Sequence, residues 1–264
     1  NLVFFKLVRS KTKFWQMLGR GTRLCPDLFA PGEPKQNFFV FDFCQNLEYF
    51  SQNPAGGEGA TAESLTTRLF KARLDLIGEL DTKLKLGGAV QEAPPAYGGH
   101  PTLAELREGT AALLHERVAH MNVDNFVVRP QRQFVERYAK AEAWQALAAD
   151  DHEVLAQRIA GLPSQLSDED EEAKRFDMLV LRAQLSMLQA RPDFATLRQK
   201  IQTIASKLED EMAIPTIKAE ALLIQAVASD EWWEDVTVPM LETARKRLRA
   251  LVKLLPKGEK KVVY

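Results

Sequence analysis

The sequence predicts a mainly α protein, with a helical C-terminal domain over 102–264 preceded by a small α/β segment at 1–50. A linker over 51–101, holding one helix at 64–86, joins the two. Three observations carry this reading. Beyond Thr102, apolar residues recur at helical spacing almost without interruption. Residues 1–50 instead alternate short apolar runs with a single helical pattern. Two breaks poor in apolar periodicity, Ser51–Glu63 and Gly87–Pro101, separate the parts.

In chain order, Asn1–Phe5 reads as a short buried strand and Ser10–Leu18 as a helix carrying Phe14, Trp15 and Leu18. The turn Gly19-Arg20-Gly21-Thr22-Arg23 follows, then a loop punctuated by Pro26, Pro31, Gly32 and Pro34. Asn37–Phe43 is a second apolar strand. Leu65, Leu69, Leu76, Ile77, Leu80 and Leu84 mark the amphipathic helix over 64–86. Thr102-x-x-Glu105 is a capping-box start, continued by Leu103, Leu106, Leu113, Leu114, Val118 and Met121. Asp124–Pro130 is an extended interruption, because Pro130 biases Arg129 away from helix. Further helices are predicted over 131–149, 151–161, 168–190, 193–212, 215–230 and 236–255. Asp150-x-x-Glu153 and Ser167-x-x-Asp170 serve as caps, and Pro163, Pro192, Pro215 and Pro239 sit near helix starts or in joints. One contiguous core is expected to include Phe176, Leu179, Val180, Leu188, Leu197, Ile201, Ile204 and Leu208.

The formal net charge of −1 excludes a uniformly basic nucleic-acid coat, but the charge is unevenly spread. Residues 1–23 carry six Lys/Arg and no acid, and residues 242–261 are strongly basic. Such blocks are most often solvated helix faces. The functional alternative is contact of Arg245, Arg247, Arg249 and Lys253 with a DNA backbone or a partner. Trp232-Trp233 stands among acids, which favours core packing over stacking on bases. Arg129, Arg132 and Arg137 lie near Glu136 and Glu142 and read as surface charge. Cys25 and Cys44 make no disulfide framework, so a cytoplasmic setting is expected. His115 and His120 are wrongly spaced for a helical metal pair, and no run is long enough to span a membrane.

The string Gln16-x-x-Gly19-Arg20-x-x-Arg23 resembles the last motif of superfamily-two helicases and DNA translocases. Two arginines near a helix end can simply complement its dipole. Phosphoryl transfer supplies another reason for them: charge builds on the γ-phosphate oxygens, and guanidinium groups stay charged and present a planar fork of donors. Phe14-Trp15-Gln16, the Gly19–Arg23 turn and Phe41–Phe50 together are similar to the motor (R) subunit of type I restriction enzymes. Residues 102–264, with Leu248–Leu255 and Val262–Tyr264 fitting best, resemble the helical C-terminal region of such subunits. Met17 stands where many helicases have Arg, a departure that suits the restriction-subunit branch.

The resemblance implies that residues 1–50 end a second RecA-like motor domain. It implies an ATP site built with Gln16, Gly19, Arg20 and Arg23, the two arginines carrying transition-state charge and Gln16 positioning the γ-phosphate. For the whole protein it implies ATP and Mg²⁺ as cofactors, and DNA translocation with endonuclease activity. Its partners would be double-stranded DNA and the methyltransferase and specificity subunits. No phosphate-loop motif or nuclease carboxylate–Lys core occurs in the sequence, and the acidic run Asp168–Glu172 follows no apolar strand. The chain is therefore expected to be a fragment, opening in mid-strand at Asn1, with neither nucleotide nor hydrolysis of its own. Two roles follow: an arginine-finger contribution to a DNA-dependent ATPase, and a helical module docking the methyltransferase core. The alternative is a type III restriction or repair translocase with a helical DNA- or protein-binding appendage.

Overall fold

The computed structural model describes residues 1–8, 10–23, 25–28, 30–44, 46–47, 50, 63–86, 99–125, 127–166 and 170–256. Of the predicted breaks Ser51–Glu63 and Gly87–Pro101, residues 51–62 and 87–98 lie outside these, as do the Ser167 cap and the stretch 257–264. The chain is mainly helical and divides into two compact units, Asn1–Glu63 and Ser64–Tyr264.

In the first unit, strand β1 (Leu2–Phe4) and strand β2 (Val40–Asp42) pair in parallel, with Leu2 opposite Val40 and Phe4 opposite Asp42. Helix α1 (Lys11–Gly21) lies between them in sequence, as a parallel pair requires of its crossover. Ser10 caps α1, its hydroxyl accepting from the Lys13 N–H. Phe4, Phe14, Leu18 and Phe50 form the small core beneath, with Leu2, Met17 and Val40 against it. The alternate residues Val3, Phe5, Phe39, Phe41 and Phe43 are exposed. Phe5 and Phe43 stack with their rings 4.7 Å apart, yet are 77% and 66% exposed. One face of the parallel pair is thus covered by its helix and the other is an open aromatic surface.

Sequence reasoning missed the fastener of this unit. Asn46 is fully buried: its Oδ1 accepts from Val8 N at 2.6 Å, and its Nδ2 donates to Lys6 O and to Asp42 Oδ1. Asp42 also accepts from the Leu47 and Cys44 N–H groups. The segments leaving β1 and β2 are therefore tied through one amide and one carboxylate.

The second unit contains α2 (Leu65–Leu86), α3 (Leu103–Ala119), α4 (Arg132–Tyr138), α5 (Ala149–Val154), α6 (Glu171–Leu188), α7 (Phe194–Asp210), α8 (Pro215–Lys218), α9 (Ala221–Ala228) and α10 (Val238–Leu248). The Thr102–Glu105 capping box is formed on both sides, with Thr102 N donating to Glu105 Oε2 at 2.7 Å. Its interior is three neighbouring clusters, not the single contiguous core expected. Phe70, Leu74 and Ile77 of α2 meet Leu114, Val118, Tyr138, Trp144 and Leu155 in one. Phe176, Val180, Leu197, Ile201 and Leu208 meet Ile224, Trp233 and Leu241 in another. Leu69, Leu76 and Leu80, on a different side of α2, pack with Leu106, Leu181 and Leu185 in the third. Leu188 borders this third cluster rather than the second, and Leu179 and Ile204 are half-buried at the second.

The helix predicted as part of a linker is therefore an interior element that feeds two clusters. A chain beginning at Ser64 should melt as one cooperative helical unit. One beginning at Pro101 should not, because it loses six buried side chains of α2. Each buried Leu or Ile is worth roughly 2–5 kcal/mol when truncated, against a total stability of about 5–15 kcal/mol for a domain. Thermal melting followed by circular dichroism compares the two, and equal cooperativity in the shorter chain would contradict this assignment.

Several predicted helices are shorter or broken. The stretch 131–149 stops at Tyr138, because the Trp144 indole N–H turns back to donate to Tyr138 O at 2.8 Å. Residues 124–125 and 127–130 form turns, where the sequence suggests an extended interruption. The Asn122 and Asn125 side chains accept from the N–H groups two residues on, and Pro130 sits inside a short 3₁₀ turn, Arg129–Gln131. The helix predicted at 151–161 starts at Ala149, where Asp151 reaches back to the Ala148 N–H, and runs on into a π turn over Leu155–Ile159. Asp170 itself caps α6, which ends at Leu188 where Ala190 takes a left-handed conformation with φ of 50°. The predicted 215–230 helix divides into α8 and α9, and 236–255 stops at Leu248, with Leu251 folded into the core. Trp233 is core, edge-on to the half-buried Trp232.

Candidate functional site

The residues singled out at 16–23 lie at the C-terminal end of α1. Gln16 and Arg20 are one turn apart on its solvent side, and Arg23 follows the cap residue Thr22. All three side chains are exposed, and among the described residues neither arginine has an acidic partner. Phe14 points into the core while Trp15 lies outward, edge-on to it at 5.6 Å. The two glycines differ. Gly19 has open space where a Cβ would stand, so nothing in this unit demands it. A Cβ on Gly21 would come within 2.1–2.7 Å of the Phe38 ring, so the aromatic just before β2 needs that position bare.

The loop after the arginines returns to its own start. Pro31-Gly32 makes a tight turn, with Gly32 at φ +82° and Glu33 N donating to Ala30 O at 2.9 Å. Asp27 accepts from the Gly32 N–H, and Lys35 N donates to Cys25 O at 2.8 Å, closing the loop at its mouth. The Lys35 ammonium then donates to the carbonyls of Gly21 and Arg23 and lies 5.1 Å above the Phe38 ring. Neither Lys35 nor Phe38 stood out in the sequence. The one available signal was the Pro-Gly pair, which announces the reversal that brings them back.

The basic stretch near the C-terminus separates into two sets. Arg245 is buried, its Nη1 donating to Asp177 Oδ1 at 2.8 Å and its Nε and Nη2 to the two oxygens of Glu242. Burial opposes its charge, but the hydrogen bonds and charge of Glu242, with those of Asp177, more than offset this, so its pKa lies above the ordinary arginine value. Arg249 also turns inward to Asp177, at 2.9 Å, and Arg73 from α2 reaches the same carboxylate. Arg245 is thus engaged in the interior and Arg249, half-buried, is turned toward the same carboxylate, unlike the solvated basic face that the sequence suggests. Arg247 and Lys253 are the exposed members, Arg247 pairing with Glu220. A shallow hollow of about 450 Å³ beside them is lined by His100, Glu105, Thr243, Lys246 and Arg247. Of its two permanent cations, Arg247 pairs with Glu220, while Lys246 lies 3.7 Å from a Glu242 oxygen that Arg245 already holds.

Arg132 and Arg137 are exposed and paired with Glu136 and Asp151. Asp151 is a hub. Burial alone would raise its pKa, but the hydroxyl of buried Tyr138, the Ala148 N–H and Arg137 hold it below the usual carboxylate value. The Tyr138 phenol is pushed up to about 12 by burial and by its bond to Asp151. The neighbouring His152 ring lies where a Cβ on Gly78 would be 3.3 Å away. Burial lowers its pKa from 6.5, outweighing the pull of Asp81, Asp75 and Asp151. A histidine with a depressed folded pKa makes folding release a proton, so its contribution weakens as pH falls through the window just below 6.5. The melting temperature of the wild type should therefore drop relative to that of H152Q between pH 7 and pH 5. Parallel pH curves for the two proteins would refute this.

The ring nitrogen of His115 lies 2.9 Å from Ala139 O, and that of His120 2.8 Å from Glu116 O. Among the described residues no group of three His, Cys, Asp or Glu is placed to hold a metal ion, and no helix is long and apolar enough to cross a membrane. No family model, curated protein or solved structure matches this chain.

Proposed function

We propose that this chain is the distal part of the DNA-translocating, ATP-hydrolysing R subunit of a type I restriction enzyme. In this reading residues 1–50 end a RecA-like motor domain and present an arginine finger, and the helical unit docks the methyltransferase and specificity subunits. The observation that carries it is the exposed set Gln16, Arg20 and Arg23 at the end of the crossover helix of a parallel β-α-β unit. Arginines that only complement a helix dipole need no such company. A Gln one turn upstream and a second Arg beyond the cap suit a nucleotide bound by another domain.

A second observation supports the sheet's place in a larger assembly. Purely parallel sheets occur with helices on both faces. Here Val3, Phe5, Phe39, Phe41 and Phe43 leave one face open. In the proposed motor domain further strands extend the pair and a second helical layer covers those aromatics. ATP and Mg²⁺ would be held jointly with a phosphate loop and an acidic residue supplied by the rest of the motor.

The docking half of the proposal is tested with a chain running from Ser64 to Tyr264. It should co-purify with the methyltransferase–specificity core of its own system, with micromolar affinity or better. A folded chain that shows no affinity for that core at low salt would remove the docking role. DNA binding through the exposed Arg247 and Lys253 would then be the next partner to test.

A further inference from the structure

We propose that Lys35 is a positioning residue for the arginine turn, holding the backbone from which Arg20 and Arg23 project. The inference rests on the reading of that turn as an arginine finger. It starts from the end of α1. The last carbonyls of a helix have no partner within it and carry the negative end of its dipole. Arg20 and Arg23 are the nearest cations in the chain and would be drawn onto those carbonyls.

Lys35 takes that place at Gly21, the last residue of α1, and at Arg23, the first residue past its cap. Its ammonium donates to the carbonyls of both Gly21 and Arg23, from 14 and 12 residues downstream. Its backbone N–H is held on Cys25 O, and its ammonium sits over the Phe38 ring, which itself lies against the bare Cα of Gly21. The returning loop thus grips the turn through one side chain, one backbone bond and one ring. With the Gly21 and Arg23 carbonyls served by Lys35 and that of Gly19 by the Thr22 hydroxyl, the two guanidinium groups stay turned outward, as their exposure records. A guanidinium that need not first break an internal bond is preorganised for a phosphate.

Lys35→Met keeps the hydrocarbon stem and removes the ammonium, while Lys35→Arg retains donors. In this chain, hydrogen exchange of the Lys35→Met variant should quicken over Gly19–Cys25 and stay unchanged in β1 and β2. In the complete motor its ATPase kcat should fall by about ten- to a hundredfold, since displacement of a catalytic group by about 1 Å costs that order of rate. Its KM for ATP should stay within about twofold of wild type. Lys35→Arg should recover most of the rate. Unchanged exchange over Gly19–Cys25 overturns the proposal. So does exchange that quickens equally in β1 and β2, which would make Lys35 a general structural residue. So does an unchanged kcat alongside a collapse in Arg20→Ala. If Arg20→Ala and Arg23→Ala leave kcat intact while Lys35→Met still loosens the turn, the hold of Lys35 on the turn stands and the arginine-finger reading fails.

Discussion

In the proposed complete motor, replacing Arg20 or Arg23 by Ala should reduce DNA-stimulated ATP turnover by about a thousandfold or more, in line with the rate typically supplied by an arginine finger. ATP binding should change little. Both side chains are exposed in the chain itself and contribute nothing to its core, so the loss cannot be traced to unfolding. The distinction lies in which kinetic constant moves. A residue engaged only as charge develops lowers kcat with KM unchanged, whereas one that merely binds nucleotide raises KM. Gln16→Ala should be milder than either, because in the proposed site it would position the phosphate and not neutralise it. Wild-type turnover in both arginine variants would return the motif to a basic helix end.

The second large effect is on stability. Asp177→Asn should destabilise the helical unit by about 3 kcal/mol, the order seen when one partner of a buried ion pair is removed. Asp177 is 1% exposed and is the shared acceptor of Arg245, Arg249 and Arg73, from two other helices. Loss of its charge leaves Arg245 with Glu242 alone, in a site where burial already opposes the positive form. For a unit of this size the change corresponds to a fall in melting temperature of roughly 6–12 °C. A melting curve of Asp177→Asn that overlays wild type would show that the cluster is not a fastener.

What the sequence disclosed followed range. The capping box at Thr102–Glu105 acts within three residues, and the structure forms both of its halves. Helical periodicity marked the cores of α2, α3, α6 and α7, because each buries one stripe against neighbours. Boundaries failed where a side chain reached across. Trp144 ends α4 by bonding Tyr138 O, six residues back, and no propensity announces that. Arg245 looked like one member of a solvated basic run. Its partner Asp177 is 68 residues away, so only the packing of α6 on α10 identifies it as interior. The candidate site divides in the same way. The placement of Gln16, Arg20 and Arg23 at the exposed end of α1 is legible because it follows from local spacing, whereas Lys35 and Asn46 act over 12 to 40 residues and leave no local signal. Helix α2 was assigned to a linker for a similar reason: the low-complexity stretches around it hid the two clusters it joins.

In the proposed function Arg20 and Arg23 meet charge that exists only in the transition state. Trapping of Mg²⁺-ADP with aluminium fluoride, a mimic of the transferring phosphoryl group, measures this apart from ground-state binding. In the DNA-bound complete motor the wild type should hold the ADP–fluoride complex at least about a hundredfold more tightly than ADP alone. Arg20→Ala and Arg23→Ala should bind ADP normally and lose that enhancement. Arginine variants that trap the mimic as tightly as wild type would contradict the claim.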